Sequence, residues 1–209
     1  MTIYGDMDLS IIREKPNIRK PVKTYSKPEN KIGDVIKFVK KEIKLGNQIF
    51  WVCPLIEESK KIDHTSAVKK SEYLNKLFPK QVFLLHGKTT TDEKEMILNK
   101  FLKNEFKILV STTIIEVGID FPNANVIIIE NANKFGLSQL HQLRGRVGRG
   151  SKESSCILMF KSNLSDNAKK RINILKDSND GFKISEEDMK LRGFGDILGF
   201  KQSGIKNFK

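Results

Sequence analysis

The stretch Lys107-Ile-Leu-Val-Ser-Thr-Thr-Ile-Ile-Glu-Val-Gly-Ile-Asp-Phe-Pro-Asn-Ala-Asn-Val-Ile-Ile-Ile-Glu130 decides the class of fold. Lys107–Ser111 is a short apolar run that ends in hydroxyls, and Asn125–Glu130 holds four consecutive apolar residues. Runs this short and this apolar read as strands buried on both faces, the pattern of a parallel sheet. Gln48–Cys53, Gln81–Leu85 and Cys156–Phe160 repeat it. Between them lie helical patterns. Residues 32–45 set Ile32, Val35, Ile36, Val39 and Ile43 on one face and stop at Gly46-Asn47. A second helix is predicted over 66–78, ending at Pro79. Thr90 with Glu93 forms a capping box that opens a third helix through Leu102, and Gln139–Leu143 starts a short fourth. Strands alternating with amphipathic helices predict an α/β fold, a mostly parallel sheet covered by helices on both faces.

The flanks differ. Residues 1–30 carry prolines at 16, 21 and 28 with little periodicity, and read as an extended connector. After Phe160 the alternation ends. Residues 165–176 place Ala168, Ile172 and Leu175 on one helical face, and 185–191 read as a second helix with Ser185 and Asp188 as its cap pair. Gly193, Gly195, Gly199 and Gly204 then predict a loop. The expected organisation is a linker over 1–30, one α/β domain over 31–161, and a helical hairpin with loop over 162–209.

The chain has 209 residues and a net charge of +13 from 38 basic and 25 acidic side chains. Such an excess suits a polyanionic partner, although lysines on solvated helix faces would give the same total. Residues 134–152 concentrate it, with Lys134, Arg144, Arg146, Arg149 and Lys152 and no acid. No apolar run approaches the roughly 18 residues of a membrane span. The opening Met1–Ser10 lacks the basic-then-apolar pattern of a signal peptide, so the expected location is cytoplasmic, away from membranes. Cys53 and Cys156 lie in apolar runs without CxxC spacing and read as buried, reduced thiols.

The chemistry concentrates in Gln142-Leu-Arg-Gly-Arg-Val-Gly-Arg149. Guanidinium groups are always charged and fork onto phosphate oxygens, and glycines let a phosphate approach the backbone. A cation against a transferring phosphoryl group acts as an arginine finger. The bland reading is a basic surface turn that takes any anion. Upstream, Ser111, Thr112 and Thr113 end a strand, and the segment closes on Gly118 and Asp120. Hydroxyls and free N–H groups at a strand end suit phosphate. Asp120 could accept a ribose hydroxyl, hold an arginine, or simply be a turn residue near Pro122.

Three features mislead. Gly87-Lys-Thr-Thr90 ends like a Walker A loop, but GxxxxGK[ST] needs glycine where Val82 stands. Asp92-Glu-Lys-Glu95 is a first-turn acidic cluster favoured by the helix dipole, not an Mg²⁺ site. His64, His86 and His141 lack metal spacing.

In order and spacing, the segments 108–122 and 142–149 resemble motifs V and VI of superfamily 2 helicases and translocases. Gln48–Glu58, Phe83-Leu-Leu-His-Gly87 and Glu130–Arg149 resemble the RecG family throughout, as do Tyr4–Ser10 and Lys15–Pro21 as the linker between motor domains. Asp180–Gly199 with Lys201-Gln-Ser-Gly204 resembles the TRG (translocation) element, which RecG proteins share with the transcription-repair coupling translocase. Phe194, Phe200 and Lys201 depart from it, standing where proline, threonine and arginine are usual.

The resemblance implies a second RecA-like domain, of the P-loop-NTPase type, that closes on ATP and Mg²⁺ held mainly by a first RecA-like domain. Arg146 and Arg149 would be the fingers, and Gln142, Gly118 and Asp120 would line the nucleotide cleft. His86, Gly87 and Thr112 would follow a nucleic-acid backbone. Arg171, Arg192 and Gln202 would work in translocation along duplex DNA. The implied partners are branched double-stranded DNA, an N-terminal wedge domain and the first motor domain. The chain is expected to begin after motif III and, by itself, to lack ATP hydrolysis. Two other readings stay open: a fragment of the coupling translocase, and a non-catalytic nucleic-acid-binding module.

Overall fold

A computed structural model describes residues 20–54, 60–112, 120–150 and 152–192, with side chains omitted for 60–65 and 192. Six strands form one sheet: β1 (Lys23–Pro28), β2 (Gln48–Val52), β3 (Val82–Leu85), β4 (Ile108–Ser111), β5 (Ala124–Ile129) and β6 (Ser155–Phe160). Their order is β1-β6-β5-β2-β4-β3, and every pair is parallel. The helices are α1 (Ile32–Lys44), α2 (Lys60–Leu77), α3 (Thr91–Leu102), α4 (Leu137–Arg144), α5 (Asp166–Asp177) and α6 (Gly181–Arg192).

Period-two alternation sorts each strand between two cores. Phe50, Leu109, Ile127 and Leu158 join one cluster with side chains of α3 to α6, while Ile49, Trp51, Val110 and Ile128 join another with α1 and α2. The sheet is thus covered on both faces, as the strand runs predict. Burial of each such side chain stabilises by about 1.5–3 kcal/mol. Two buried polar side chains are well paired. Gln48 Nε2 donates to the carbonyls of Phe101 (2.6 Å) and Phe106 (3.0 Å). Glu130 accepts from Trp51 Nε1 at 3.0 Å and pairs with Lys70 Nζ at 2.7 Å.

The local expectations meet three outcomes. Thr90 and Glu93 do form the reciprocal capping box of α3, and both cysteines are buried. The reading of 1–30 as connector needs correction at its end, because Lys23–Pro28 is a strand paired with β6. It is an edge strand that alternates between exposed and half-buried residues, so no apolar run announces it. Ser185 and Asp188 do not cap α6, which begins earlier, at Gly181. Asp180 takes that role by accepting from the Phe182 N–H at 2.9 Å. No helix of the described residues is long and apolar enough to cross a membrane.

Candidate nucleotide and nucleic-acid site

In a parallel sheet every crossover returns from the exit edge, where strands end, to the entry edge, where they begin. The sequence-predicted residues divide between these edges. At the exit edge β3 and β4 are neighbours, with Leu85 opposite Ser111, so His86 and Thr112 follow side by side. The Thr112 N–H donates to the Leu85 carbonyl at 3.3 Å. His86 Nδ1 accepts from the Lys88 N–H at 3.1 Å, and Thr89 Oγ1 accepts from the His86 N–H at 3.1 Å. Gly87 is exposed, with open space where a Cβ would stand. Thr112 is buried, and its hydroxyl has no hydrogen-bond partner among the described residues.

At the entry edge, Asp120 precedes β5 and Arg149 precedes β6. They form an ion pair 29 residues apart in sequence. Of the roles open to Asp120, the structure gives it the arginine. Arg149 Nε stays buried without a partner among the described residues. Arg146 is half-buried and has no ion-pair partner among them, and Gln142 is exposed on α4. One arginine of the motif is therefore restrained and the other left available. Gly118 and Gln202 lie outside the described residues, and Arg192 is described only as the last residue of α6.

Gly148 shapes the turn that carries Arg149. Its φ of +77° favours glycine, and a Cβ there would stand 2.9 Å from Val22 Cγ2, just before β1. The strand that composition hid thus backs the arginine loop.

The third arginine of the motif has a different role, which sequence reading missed. Arg144 is 2% exposed. Its Nη1 donates to the carbonyls of Leu175 and Ser178, both at 2.7 Å, where α5 ends. Its Nη2 meets His141 Nδ1 at 3.0 Å. Burial lowers its pKa, yet guanidinium stays charged at neutral pH. The signal was present: Leu137, Leu140 and Arg144 fall on one helical stripe, facing the core. From the other side Arg171 donates to the carbonyls of Phe135 at 2.9 Å and Asn133 at 3.3 Å, where α4 begins. Ser138 Oγ donates to Asp188 of α6. The hairpin of α5 and α6 is therefore bolted to α4 at both ends.

α4 and α6 lie antiparallel. Ser138, early in α4, meets Asp188, late in α6, and His141 lies against Gly181 at the start of α6. α6 thus runs from the arginine edge back towards the edge that carries His86 and Thr112. Among the described residues no group of three or more His, Cys, Asp or Glu could hold a metal ion.

Comparison with known proteins fits this arrangement. Residues 30–151 match the family model "Helicase conserved C-terminal domain", and residues 178–208 match "ATP-dependent DNA helicase RecG, domain 3, C-terminal". The whole chain is 47% identical to the ATP-dependent DNA helicase RecG of Bacillus subtilis (strain 168), over 31% of that protein's length. It is 46% identical to that of Thermotoga maritima, over 27% of its length. A solved structure of RecG bound to a three-way DNA junction is similar over 99% of this chain and 26% of that one, with a TM-score of 0.78 and 44% identity. The C-terminal domain of the DEAD-box protein Dbp5 shares the fold, with a TM-score of 0.52 over 83% of this chain and 98% of that one at 22% identity. The chain spans less than a third of the length of the RecG relatives named here. It belongs to the helicase conserved C-terminal domain family and, within it, to the RecG family of superfamily 2 helicases.

Proposed function

We propose that this chain is the C-terminal motor half of an ATP-dependent DNA helicase that remodels branched DNA, such as stalled forks and Holliday junctions. The observation that carries the reading is the bolted connection between α4, which leads into Arg146 and Arg149, and the α5–α6 hairpin. A nucleotide held by a first RecA-like domain would meet Arg146, which has no competing ion pair among the described residues, and then draw Arg149 from Asp120. Gln142 and Gly118 complete the cleft in this reading. Fixed cations aimed at developing phosphoryl charge are worth about 10³–10⁵ in rate. ATP would bring Mg²⁺ with it; no described cluster of this chain suits the metal, so the first domain is assigned to hold it.

Movement of α4 would carry the hairpin with it, because Arg144 and Arg171 leave little slack between them. The end of α6 at Arg192, and Gln202 beyond it, would press on duplex DNA while His86, Gly87 and Thr112 track the backbone. With no Walker A loop in its sequence, the chain alone is assigned no ATP hydrolysis. The test is ATP hydrolysis on forked DNA by the chain alone, and after mixing with a first RecA-like domain and wedge. Activity only in the mixture, abolished by Arg146→Ala, is expected. Hydrolysis by the chain alone would overturn the account. DNA binding without hydrolysis in the mixture would favour a non-catalytic binding module.

A further inference from the structure

The net charge of +13 is only partly used by the arginine loop and the hairpin. Much of the remainder stands on the sheet face covered by α1 and α2. On α1, Lys37, Lys40, Lys41 and Lys44 are exposed and fall on one helical stripe. On α2 and the turn after it, Lys69, Lys76 and Lys80 are exposed around Tyr73, which is 41% exposed. None of these seven lysines has an ion pair among the described residues. Acids there are few. Glu42 is half-buried and accepts from Asn47 Nδ2 at 2.7 Å, which leaves Asp34 and Glu72 exposed among the described side chains.

This arrangement opposes folding. Lys37 with Lys41, and Lys40 with Lys44, are like charges four apart on a helix, and each such pair destabilises it. The lysines in the last turn gain from the helix dipole, but Lys37 and Lys40 lie earlier in α1. Counter-charge from outside removes the conflict. The α1 stripe extends about 10 Å at 1.5 Å per residue, which spans roughly three phosphates at 3.4 Å per strand. Tyr73 adds a hydroxyl of the type that donates to phosphate.

We propose that the α1–α2 face binds the phosphate backbone of a second duplex arm of the DNA, apart from the arm engaged by the His86–Thr112 edge. The proposal rests on the branched-DNA reading for the identity of the arm, and on the lysine pattern for the surface itself. A face and an edge of one sheet point in different directions, so one straight duplex does not cover both. A branched DNA supplies two duplexes at an angle. The contact is to backbone and carries no sequence preference.

The test measures binding of this chain to a fluorescent three-way junction and to a linear duplex, without nucleotide, over a range of KCl concentrations. One variant carries Lys37→Ala, Lys40→Ala and Lys44→Ala. Its control carries Lys20→Ala, Lys27→Ala and Lys103→Ala, exposed positions outside α1, α2, the hairpin and the His86–Thr112 edge, with the same change in charge. The α1 variant is expected to lose at least tenfold in junction affinity, and to flatten the salt dependence by about 0.9 per lost phosphate contact. The control should lose less than half as much, and the α1 variant should lose less on linear duplex than on the junction. Its melting temperature without DNA should rise, because repulsion is relieved. Equal losses in variant and control, or on both DNAs, would overturn the proposal, as would a lower melting temperature. Loss of binding to phosphatidylserine vesicles with DNA binding intact would overturn it in favour of a membrane surface. The same series on Arg146→Ala separates the two readings: the lysine effect persists there even if the mixed motor fails to hydrolyse ATP.

Discussion

Arg144 and Arg171 hold each other's helices by the backbone: Arg144 of α4 takes the carbonyls that end α5, and Arg171 of α5 takes those that precede α4. Each guanidinium bonds to two carbonyls on the opposite element. Side-chain substitutions at those acceptors would leave the bonds intact. The arginines themselves are the replaceable half of the clasp.

Replacement of Arg144 by alanine strands two carbonyls at a buried position. Each lost hydrogen bond with its desolvation penalty costs about 1–3 kcal/mol, so a total of about 2–6 kcal/mol is expected. Urea unfolding measures it. Arg171→Ala, at a half-buried site, should cost about 1–2 kcal/mol. In the reconstituted motor, Arg171→Ala is expected to retain ATP hydrolysis while DNA remodelling falls. A variant that loses both in proportion would show that the clasp merely maintains the fold.

Much of the domain could be read from the chain because its strands are buried on both faces. Phe50, Leu109 and Ile127 had to be apolar, and so did Ile49, Val110 and Ile128 on the other side. β1 escaped because Lys23, Tyr25 and Lys27 are exposed at a sheet edge, and its strand character comes from pairing with β6. Position on an edge was equally hidden. Binding at the carboxyl ends of strands is the usual expectation for α/β sheets. It suits His86 and Thr112 but not Asp120 and Arg149, which precede β5 and β6. Spacing nominated these residues as candidates, yet only the topology places them on two edges. Arg144 was overlooked because three arginines in one motif invite one role, whereas helical phase sets the first inward.

Arg146 and Asp120 should respond differently to removal. Arg146→Ala breaks no ion pair among the described residues, so its stability should lie within about 0.5 kcal/mol of the parent. ATP hydrolysis by the reconstituted motor should fall by about 10³-fold or more. Asp120→Ala frees Arg149 from a pair whose acid is 63% exposed, so its cost in stability should be about 1 kcal/mol or less. Thermal unfolding with steady-state kinetics checks both. A large loss of stability with Arg146→Ala would contradict its availability.

Gly148→Ala meets two obstacles, the positive φ and the close approach of Val22. Together they should cost about 1–3 kcal/mol. Val22→Ala in the same chain removes the collision but not the backbone strain, so the double variant should recover only part of the loss. Full recovery would mean that the turn accepts alanine once space is made, and that φ contributes nothing.

Cys156 gives a pH signature. Burial in β6 pushes its thiol up to about 12, with the nearby Arg144 charge pulling slightly the other way. A folded pKa above the unfolded one favours the protonated thiol in the native state. Its contribution is complete below the unfolded value of about 8.5 and is lost as pH rises towards 12. Between pH 8 and 11, urea midpoints of the parent should fall more steeply than those of Cys156→Ala. Subtraction removes every group the two proteins share, including Cys53, whose thiol burial also pushes up. Because thiolate is the reactive form, Ellman's reagent at pH 8 should label neither cysteine until urea unfolds the chain. Fast labelling of native Cys156 would show that β6 opens beneath Arg144, and the clasp would then be looser than its hydrogen bonds require.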